Sequence, residues 1–467
     1  MIRYALLALP LLAGCATITI PSPASPIAPP PTWSGEVAHV EPVAPARAWW
    51  RGLDEPMLDR LVEDAVAANY DLRAADANLR AARALVREAR TAYLPGGGFR
   101  AGVERRRDPA APQVAQFPEL GGGAFPTQTI ATAGFETSWE IDLFGRLGAG
   151  AAAVRADALE ALWQRRETEA AVVAATVRAW LDARHAARRA VLLTRRCQVL
   201  TDTAGIIAAS VEAGAMRSTQ RLSAEAAASE CSGVVRVVEA DRRNALRRLA
   251  TLTGRPFNAL HALPVDGAPI TTPATLAAGD PSQSLRLRPD VGAAEARLQA
   301  MLARAGVERG WLYPRIELIG GASLTAPPVS FGQTASLGFA FGPRLSWDVF
   351  NLPRIRARIR AADATAEARL AAWHSTILKA LEDADTALEN WAAAGRTAAA
   401  SLAVAHAAAA AERDVVVREK SGLASRLAAA QAHEAALAAQ LDAEGHAHAA
   451  RIGWAAAQLA IGCGWRA

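Results

Sequence analysis

Aromatic side chains are scarce in this sequence of 467 residues, in which Phe, Trp and Tyr together make up 6%. After the first residues, no apolar run approaches the roughly 20 residues that a membrane-spanning helix needs. No Gly-x-Ser-x-Gly, P-loop or Cys-x-x-Cys motif is present, and nothing indicates a metal site, a cofactor or an enzymatic reaction. Basic and acidic residues number 51 and 46, and apart from Arg105–Arg107 there is no dense basic block, so the sequence predicts no nucleic-acid binding.

Proline is missing from three long stretches, 57–94, 127–255 and the residues after Pro353. A proline in a helix interior costs about 3 kcal/mol, and these stretches are rich in Ala, Leu, Arg and Glu, which favour helices. Residues 146–213 alone correspond to about 100 Å of helix at 1.5 Å per residue. Because alanine leaves little side-chain bulk, the composition favours closely packed long helices in a bundle that crosses a compartment, not a large globular core.

The chain contains an internal duplication. Asp71 and Pro95 are separated by 24 positions, as are Asp290 and Pro314. Two further landmarks match in the same order, namely segment 138–144 with 346–350, and segment 249–254 with 459–462. Three matched landmarks in one order make coincidence a poor explanation.

Each repeat is therefore predicted to contain a helix, a β-hairpin, a very long helix, a turn and a long helix. The first repeat comprises residues 49–257, the second comprises residues 282–467, and 258–281 is the linker between them. The strands are predicted at about 98–107, 129–144, 315–325 and 335–350.

The predicted strands alternate between two kinds of side chain. From Leu337 to Val349, apolar residues and Pro343 occupy the odd positions, and small or polar residues occupy the even ones. Transmembrane β-barrels show this pattern, and so does a half-buried soluble sheet. The charges on the polar face favour the barrel. Because four strands cannot close a channel, several copies must share one barrel.

The N-terminus has the features of a secretory signal, namely Arg3 followed by a short apolar run and small residues. Residues 11–15, Leu-Leu-Ala-Gly-Cys, resemble a bacterial lipobox. That resemblance implies a signal peptide of residues 1–14, lipidation of Cys15 and a lipid-anchored, Pro-rich segment at 15–48. An Asp directly after the lipidated cysteine would indicate the inner membrane. This chain has Ala16 there, which favours anchoring in the lipid of the outer membrane. The alternative is an ordinary signal with a coincidental cysteine.

Taken together, these segments resemble the TolC-type outer-membrane efflux family, in its lipoprotein branch. Residues 49–58 are similar to the opening of the family, Trp139–Arg146 to its first strand-to-helix motif, and 459–465 to its C-terminal ending, with Cys463 in place of a glycine. The resemblance implies a homotrimer with a twelve-stranded β-barrel, four strands from each copy, and a periplasmic α-barrel. It also implies a passive outer-membrane exit duct that carries small molecules from an inner-membrane pump and a periplasmic adaptor.

Each pair of long helices is expected to reverse at a glycine at the periplasmic end. The resemblance implies that the adaptor docks around these turns. The family often has acidic residues just after the second turn, whereas residues 426–431 of this chain contain no carboxylate, so we expect no acidic selectivity ring there. The candidate residues for the turns and for adaptor docking are Gly214, Arg217, Ser218, Gly422, Ser425 and Arg426. For each of them, the alternative is an ordinary solvated turn without a role in gating.

Two pairs of residues occupy related positions. Trp139 and Trp347 lie where strands lead into helices, which favours an interfacial aromatic belt, although packing at the junction is an alternative. Cys197 and Cys231 each lie 17 residues from Gly214, so antiparallel helices would bring them side by side, about 25 Å from the turn. Because the periplasm permits disulfides, we predict a bond between them, with two buried thiols as the alternative.

Three other functions compete with the small-molecule duct. A channel for type I polypeptide secretion would keep the same fold. A periplasmic adaptor lipoprotein has one long helical hairpin, and a periplasmic coiled coil has no amphipathic strands. The duplication and the two alternating hairpins argue against the last two functions.

Overall fold

A computed structural model describes residues 27–33, 40–41, 48–106, 127–273, 275–277 and 280–463. The predicted signal peptide of residues 1–14, the lipidation site Cys15, most of segment 15–48 and the last residues of the C-terminal motif lie outside the described residues. In the described part of the chain, no helix combines the length and the apolar character needed to cross a membrane.

Helices dominate the described residues and follow the pattern of the duplication. The longest two have 67 and 69 residues and occupy equivalent places in the two repeats, after the hairpins. The first of them ends one residue before the predicted Ala213. The α-helices are α1 Pro56–Ala68, α2 Tyr70–Thr91, α3 Arg146–Glu212, α4 Ser218–Leu252, α5 Pro281–Leu287, α6 Pro289–Gly310, α7 Leu352–Lys420 and α8 Arg426–Ala460.

In the part of the chain that the structure describes, six strands form two sheets: β1 Val40–Glu41, β2 Gly96–Arg106, β3 Gln128–Ile141, β4 Leu276–Ala277, β5 Arg315–Ala326 and β6 Leu337–Ser346. The larger sheet is antiparallel in the order β2-β3-β5-β6, so the central β3–β5 pairing joins the hairpins of the two repeats. Phe135 lies opposite Phe99 and Ala322, and Ala322 lies opposite Phe339, which fixes the register. The short β1 and β4 pair in parallel.

Two of the strands end before the ranges predicted from the sequence. β3 ends at Ile141 rather than at 144, because the Asp142 carboxylate accepts hydrogen bonds from the backbone N–H groups of Leu147 (3.0 Å) and Gly148 (2.8 Å). Asp142 thereby satisfies two of the unpaired N–H groups at the start of α3. β6 ends at Ser346 rather than at 350, because Val349–Asn351 form a 3-10 turn that leads into α7.

The described residues form two compact units, and each unit combines parts of both repeats. The first unit contains the described residues of 80–159 and Glu295–Ala371, including the four-stranded sheet. The second contains the described residues of 27–79, 160–294 and 372–463. A repeat of the sequence is therefore not a compact unit of the structure, because each long helix begins in the first unit and continues in the second.

The core of the second unit packs around aromatic side chains. Trp49 lies edge-on to Trp454 with ring centroids 5.6 Å apart, and both are buried. The segment predicted as a linker contributes to this core, since Leu260, Val265 and Ile270 are buried in it. The described residues of segment 258–281 therefore fill space between the helices of the two repeats.

Candidate functional site

The large sheet presents one apolar face, on which aromatic side chains are exposed. Phe341 is 83% exposed and Phe339 is 78% exposed, whereas large apolar side chains are normally buried in proteins. The register places the following exposed residues on the same face: Phe99, Val103, Phe135, Trp139, Ile141, Leu318, Leu337, Phe339, Phe341 and Leu345. An exposed apolar surface of this extent marks a contact with lipid or with another protein.

The opposite face of the sheet is polar and has little side-chain bulk. Arg100 lies 3.6 Å from Glu136 on this face, and Glu317 lies between Glu140 and Arg344 on neighbouring strands. Gly134 lies opposite Ser323, and a Cβ atom on Gly134 would come within 2.6 Å of the Ser323 side chain. Glycine at 134 therefore permits the close approach of the two repeats at the centre of the sheet.

The two predicted interfacial tryptophans make equivalent hydrogen bonds. Trp139 Nε1 donates to the backbone oxygen of Tyr93 at 2.8 Å, and Trp347 Nε1 donates to that of Leu312 at 3.1 Å. Both acceptors lie just after the helix that precedes a hairpin. The rings are 38% and 51% exposed. Each indole therefore ties a strand end to a helix end while part of its ring remains on the surface.

The two helix turns have the same backbone design. α3 and α4 are separated by five residues, as are α7 and α8. Gly214 has φ +75° and Gly422 has φ +74°, the left-handed conformation that favours glycine. The N–H of Ala215 donates to the Ser210 oxygen at 2.8 Å, and the N–H of Leu423 donates to the Arg418 oxygen at 2.7 Å, which closes both turns.

The other predicted docking residues lie at the starts of α4 and α8, the helices that follow the two turns. Ser425 Oγ accepts a hydrogen bond from the N–H of Ala428 at 3.1 Å and caps α8. In the first turn, Gln220 Oε1 accepts a hydrogen bond from the N–H of Arg217 at 3.0 Å. Ser218 and Arg426 are the first residues of α4 and α8 and are exposed. The structure thus groups the six predicted docking residues in two turns of matching form.

The cysteine pair joins the helices on either side of the first turn. Cys197 on α3 and Cys231 on α4 form a disulfide with their Cα atoms 5.5 Å apart. The fourth cysteine, Cys463, is buried and donates a hydrogen bond from its thiol to Gln458 Oε1.

A charged cluster between α3 and α8 was not predicted from the sequence. The rings of His185 on α3 and His448 on α8 stack with centroids 4.2 Å apart. His448 Nε2 lies 3.1 Å from Asp182, and His185 Nδ1 lies 3.6 Å from Glu444. The signal that the sequence offered was a helical spacing of charged residues on each helix, at 182, 185 and 188 and at 444, 448 and 451.

Glu444 is the buried centre of this cluster. It lies 3.0 Å from Arg188 Nε and 3.1 Å from Arg451 Nη1, and Arg451 also donates to the backbone oxygen of Ile270 at 3.0 Å. Burial raises the pKa of the Glu444 carboxyl, but its interactions with His185, Arg451 and Arg188 outweigh burial and lower the pKa below its ordinary value. The cluster connects helices of the two repeats through ionised groups.

The duplicated helices and the amphipathic sheet define a protein of the outer-membrane channel class. The structure matches that of the outer-membrane channel OprN with a TM-score of 0.84 and 26% identity, over 96% of this chain and all of that one. A model of the outer membrane efflux protein family matches residues 61–255 and 281–462. The chain belongs to the outer membrane efflux protein family.

Two relatives are similar over most of their length. The pyoverdine export outer membrane protein OpmQ of Pseudomonas putida is 29% identical over 390 residues, which cover 82% of this chain and 80% of OpmQ. The toluene efflux pump outer membrane protein TtgC of the same species is 26% identical over 392 residues, which cover 81% of this chain and 78% of TtgC. The predicted family and the outer-membrane location are thus confirmed.

Proposed function

We propose that this protein is the passive outer-membrane exit duct of a tripartite efflux system, and that it works as a homotrimer. The observation that carries the proposal is the open, amphipathic sheet: β2 and β6 are its edges, and its apolar face is exposed. In lipid, the unpaired N–H and C=O groups of an edge strand are strongly unfavourable. Pairing β6 of one copy with β2 of the next removes both edges.

Three copies would supply twelve strands to such a barrel. A barrel of that size leaves room for an interior, because the diameter grows with the number of strands. The apolar face would then contact lipid, and the polar face with Arg100, Glu136 and Arg344 would line the water-filled passage. The long helices would continue the passage as an α-barrel through the periplasm, and a lipid on Cys15 would anchor each copy.

The turns at Gly214 and Gly422 are proposed as the docking points of the periplasmic adaptor, which connects the duct to an inner-membrane pump. Their matching backbone form supports this assignment, since a threefold arrangement would present six similar tips to the partner. Relatives named for toluene and pyoverdine export support a small-molecule substrate over a secreted polypeptide.

Ion conductance across a planar bilayer tests the proposal directly. The full chain is extracted in detergent, its oligomer mass is determined, and single-channel currents are recorded. We expect stable steps from a trimer. A monomer that never conducts would contradict the shared barrel and favour the adaptor function, whereas a trimer that conducts only after mutation of residues 422–426 would indicate a sealed periplasmic end.

A further inference from the structure

The positive charge of this chain is concentrated in one part of the first unit. The segments that adjoin the sheet are residues 80–95, 142–159, 295–314 and 347–371, and they contain 14 arginines, no lysine and 8 acidic residues. Their net charge of +6 exceeds the +5 of the whole chain. We call these segments the basic collar.

The start of α7 has the densest part of the collar. Arginines occupy four alternate positions there, 354, 356, 358 and 360. Arg358 Nη2 pairs with Glu308 at 2.9 Å. The other three arginines are exposed, and within the described residues none has a carboxylate at ion-pair distance. Arg354, Arg356 and Arg360 therefore have no evident role in holding the unit together.

The duplication provides an internal comparison. Counted from the helix start, the four arginine positions of α7 correspond to Gly148, Gly150, Ala152 and Val154 of α3. The first repeat forms the same strand-to-helix passage with uncharged residues at all four positions. The fold of the first repeat needs no arginine at these positions, so the charge of Arg354, Arg356 and Arg360, which have no ion pair among the described residues, points to a partner outside the chain.

The neighbours of these arginines indicate what the partner is. Phe350, in the turn just before α7, is 97% exposed, and Trp347 is half exposed. Exposed aromatic rings next to basic residues, at one end of an apolar surface, have the composition of a membrane interface. Arginines at that level are attracted to the phosphates of anionic lipids.

We propose that the basic collar, through Arg354, Arg356 and Arg360, binds the headgroup phosphates of anionic phospholipids in the periplasmic leaflet. The inference rests on the proposed function, because only a sheet inserted in the outer membrane places the helix starts at this leaflet. Charge complementarity and continuity with the apolar face argue for lipid. The alternative is that the arginines line the passage and attract anionic cargo, and it is an outcome of the test.

The test uses the full chain in detergent and measures the binding of phosphatidylglycerol and phosphatidylcholine by native mass spectrometry. The variant carries Arg354→Gln, Arg356→Gln and Arg360→Gln, because glutamine keeps the helix propensity and removes the charge. The control carries Lys379→Gln, Arg396→Gln and Arg413→Gln, which are exposed positions further along α7. We expect phosphatidylglycerol affinity to fall about fivefold for each collar arginine removed, with no change in the control or for phosphatidylcholine.

Oligomer mass, conductance and ion selectivity are recorded on the same preparations. Unchanged phosphatidylglycerol binding in a collar variant that still forms conducting trimers would overturn the lipid site and leave the duct standing. If lipid binding is unchanged but the anion-to-cation selectivity of the channel shifts, the lipid site is overturned and the arginines line the passage instead. If the wild-type protein neither trimerises nor conducts, the proposed function as a duct is contradicted, and so is the collar proposal that rests on it.

Discussion

The indole of Trp347 donates a hydrogen bond to the backbone oxygen of Leu312 at 3.1 Å, and in the other repeat Trp139 does the same with Tyr93 at 2.8 Å. The sequence left two interpretations of these tryptophans, an interfacial belt or packing at the junction. The geometry accommodates both, since the N–H groups fix the strand end and the rings remain partly exposed. We propose that the exposed part of each ring lies at the membrane interface.

Replacing Trp347 by Phe keeps an apolar ring but removes the N–H donor. We expect the free energy of unfolding to fall by about 0.5–1.5 kcal/mol, the usual net value of a hydrogen bond. Thermal unfolding of the detergent-extracted protein measures the loss. Trp373→Phe is the control, because Trp373 is buried and its Nε1 has no partner among the described residues. Equal losses in the two variants would assign the effect to ring volume instead.

Breaking the disulfide should destabilise the helix pair that ends at Gly214. The bond closes a loop with a sequence separation of 34 residues, for which chain entropy gives about 3–4 kcal/mol. We expect reductant to lower the melting temperature of the wild type but not that of a variant with Cys197→Ser and Cys231→Ser. The pairing itself is checked by alkylating the denatured protein without reductant: modification of Cys197 or Cys231 would show that the bond is absent.

The features that local chemistry dictates were predictable from the sequence. The proline-free stretches gave the long helices, the matched landmarks gave the duplication, and the alternation gave two faces for each strand. The cysteine pair was predictable because both residues lie at equal distances from one glycine. In each case, the signal is a spacing or pattern of residue types that does not depend on which distant helices meet.

The features that depend on how distant helices meet were not predictable. His185 and His448 stack because particular faces of α3 and α8 meet, and no local pattern specifies which face meets which. The burial of Leu260 and Ile270 in the second unit likewise depends on space left between helices of both repeats. For the same reason, the sequence repeats did not predict the two compact units, since each unit combines residues of both repeats.

Replacing glycine by alanine should have opposite effects on stability at the two turns, where the glycine has a positive φ, and inside the long helices, where it does not. Gly214→Ala and Gly422→Ala should each destabilise the protein by roughly 1–2 kcal/mol, because an L-residue is strained in the left-handed region. Gly205→Ala and Gly395→Ala should stabilise it by up to about 1 kcal/mol, since both glycines lie inside helices and no atom beyond the adjacent backbone of the same helix lies within 4 Å of the added Cβ. Chemical denaturation compares the four variants, and a stabilising effect at 214 or 422 would contradict the turn assignment.

Glu444 should make the stability of the protein depend on acid pH. Its pKa is lower in the folded protein than in the unfolded chain, because His185, Arg451 and Arg188 outweigh the opposing effect of burial. A lowered carboxyl pKa contributes stability that is fully present above the unfolded value of about 4.3. That stability is lost as pH falls through the folded pKa, when the carboxylate takes up a proton.

Glu444→Gln tests this dependence, because it removes the charge and keeps the shape. At pH 7 we expect the variant to lose about 3–5 kcal/mol, since buried Arg451 loses its counter-charge. The difference from wild type should shrink as pH falls below about 4.3, where the carboxyl of the unfolded chain is protonated, and should be lost as pH falls through the lower pKa of the folded protein. Glu389→Gln, at an exposed position of α7, is the control and should change little. Melting temperatures recorded between pH 3 and pH 7 decide the matter: a constant difference between wild type and Glu444→Gln would mean that packing, not the ionised carboxylate, stabilises the contact between α3 and α8.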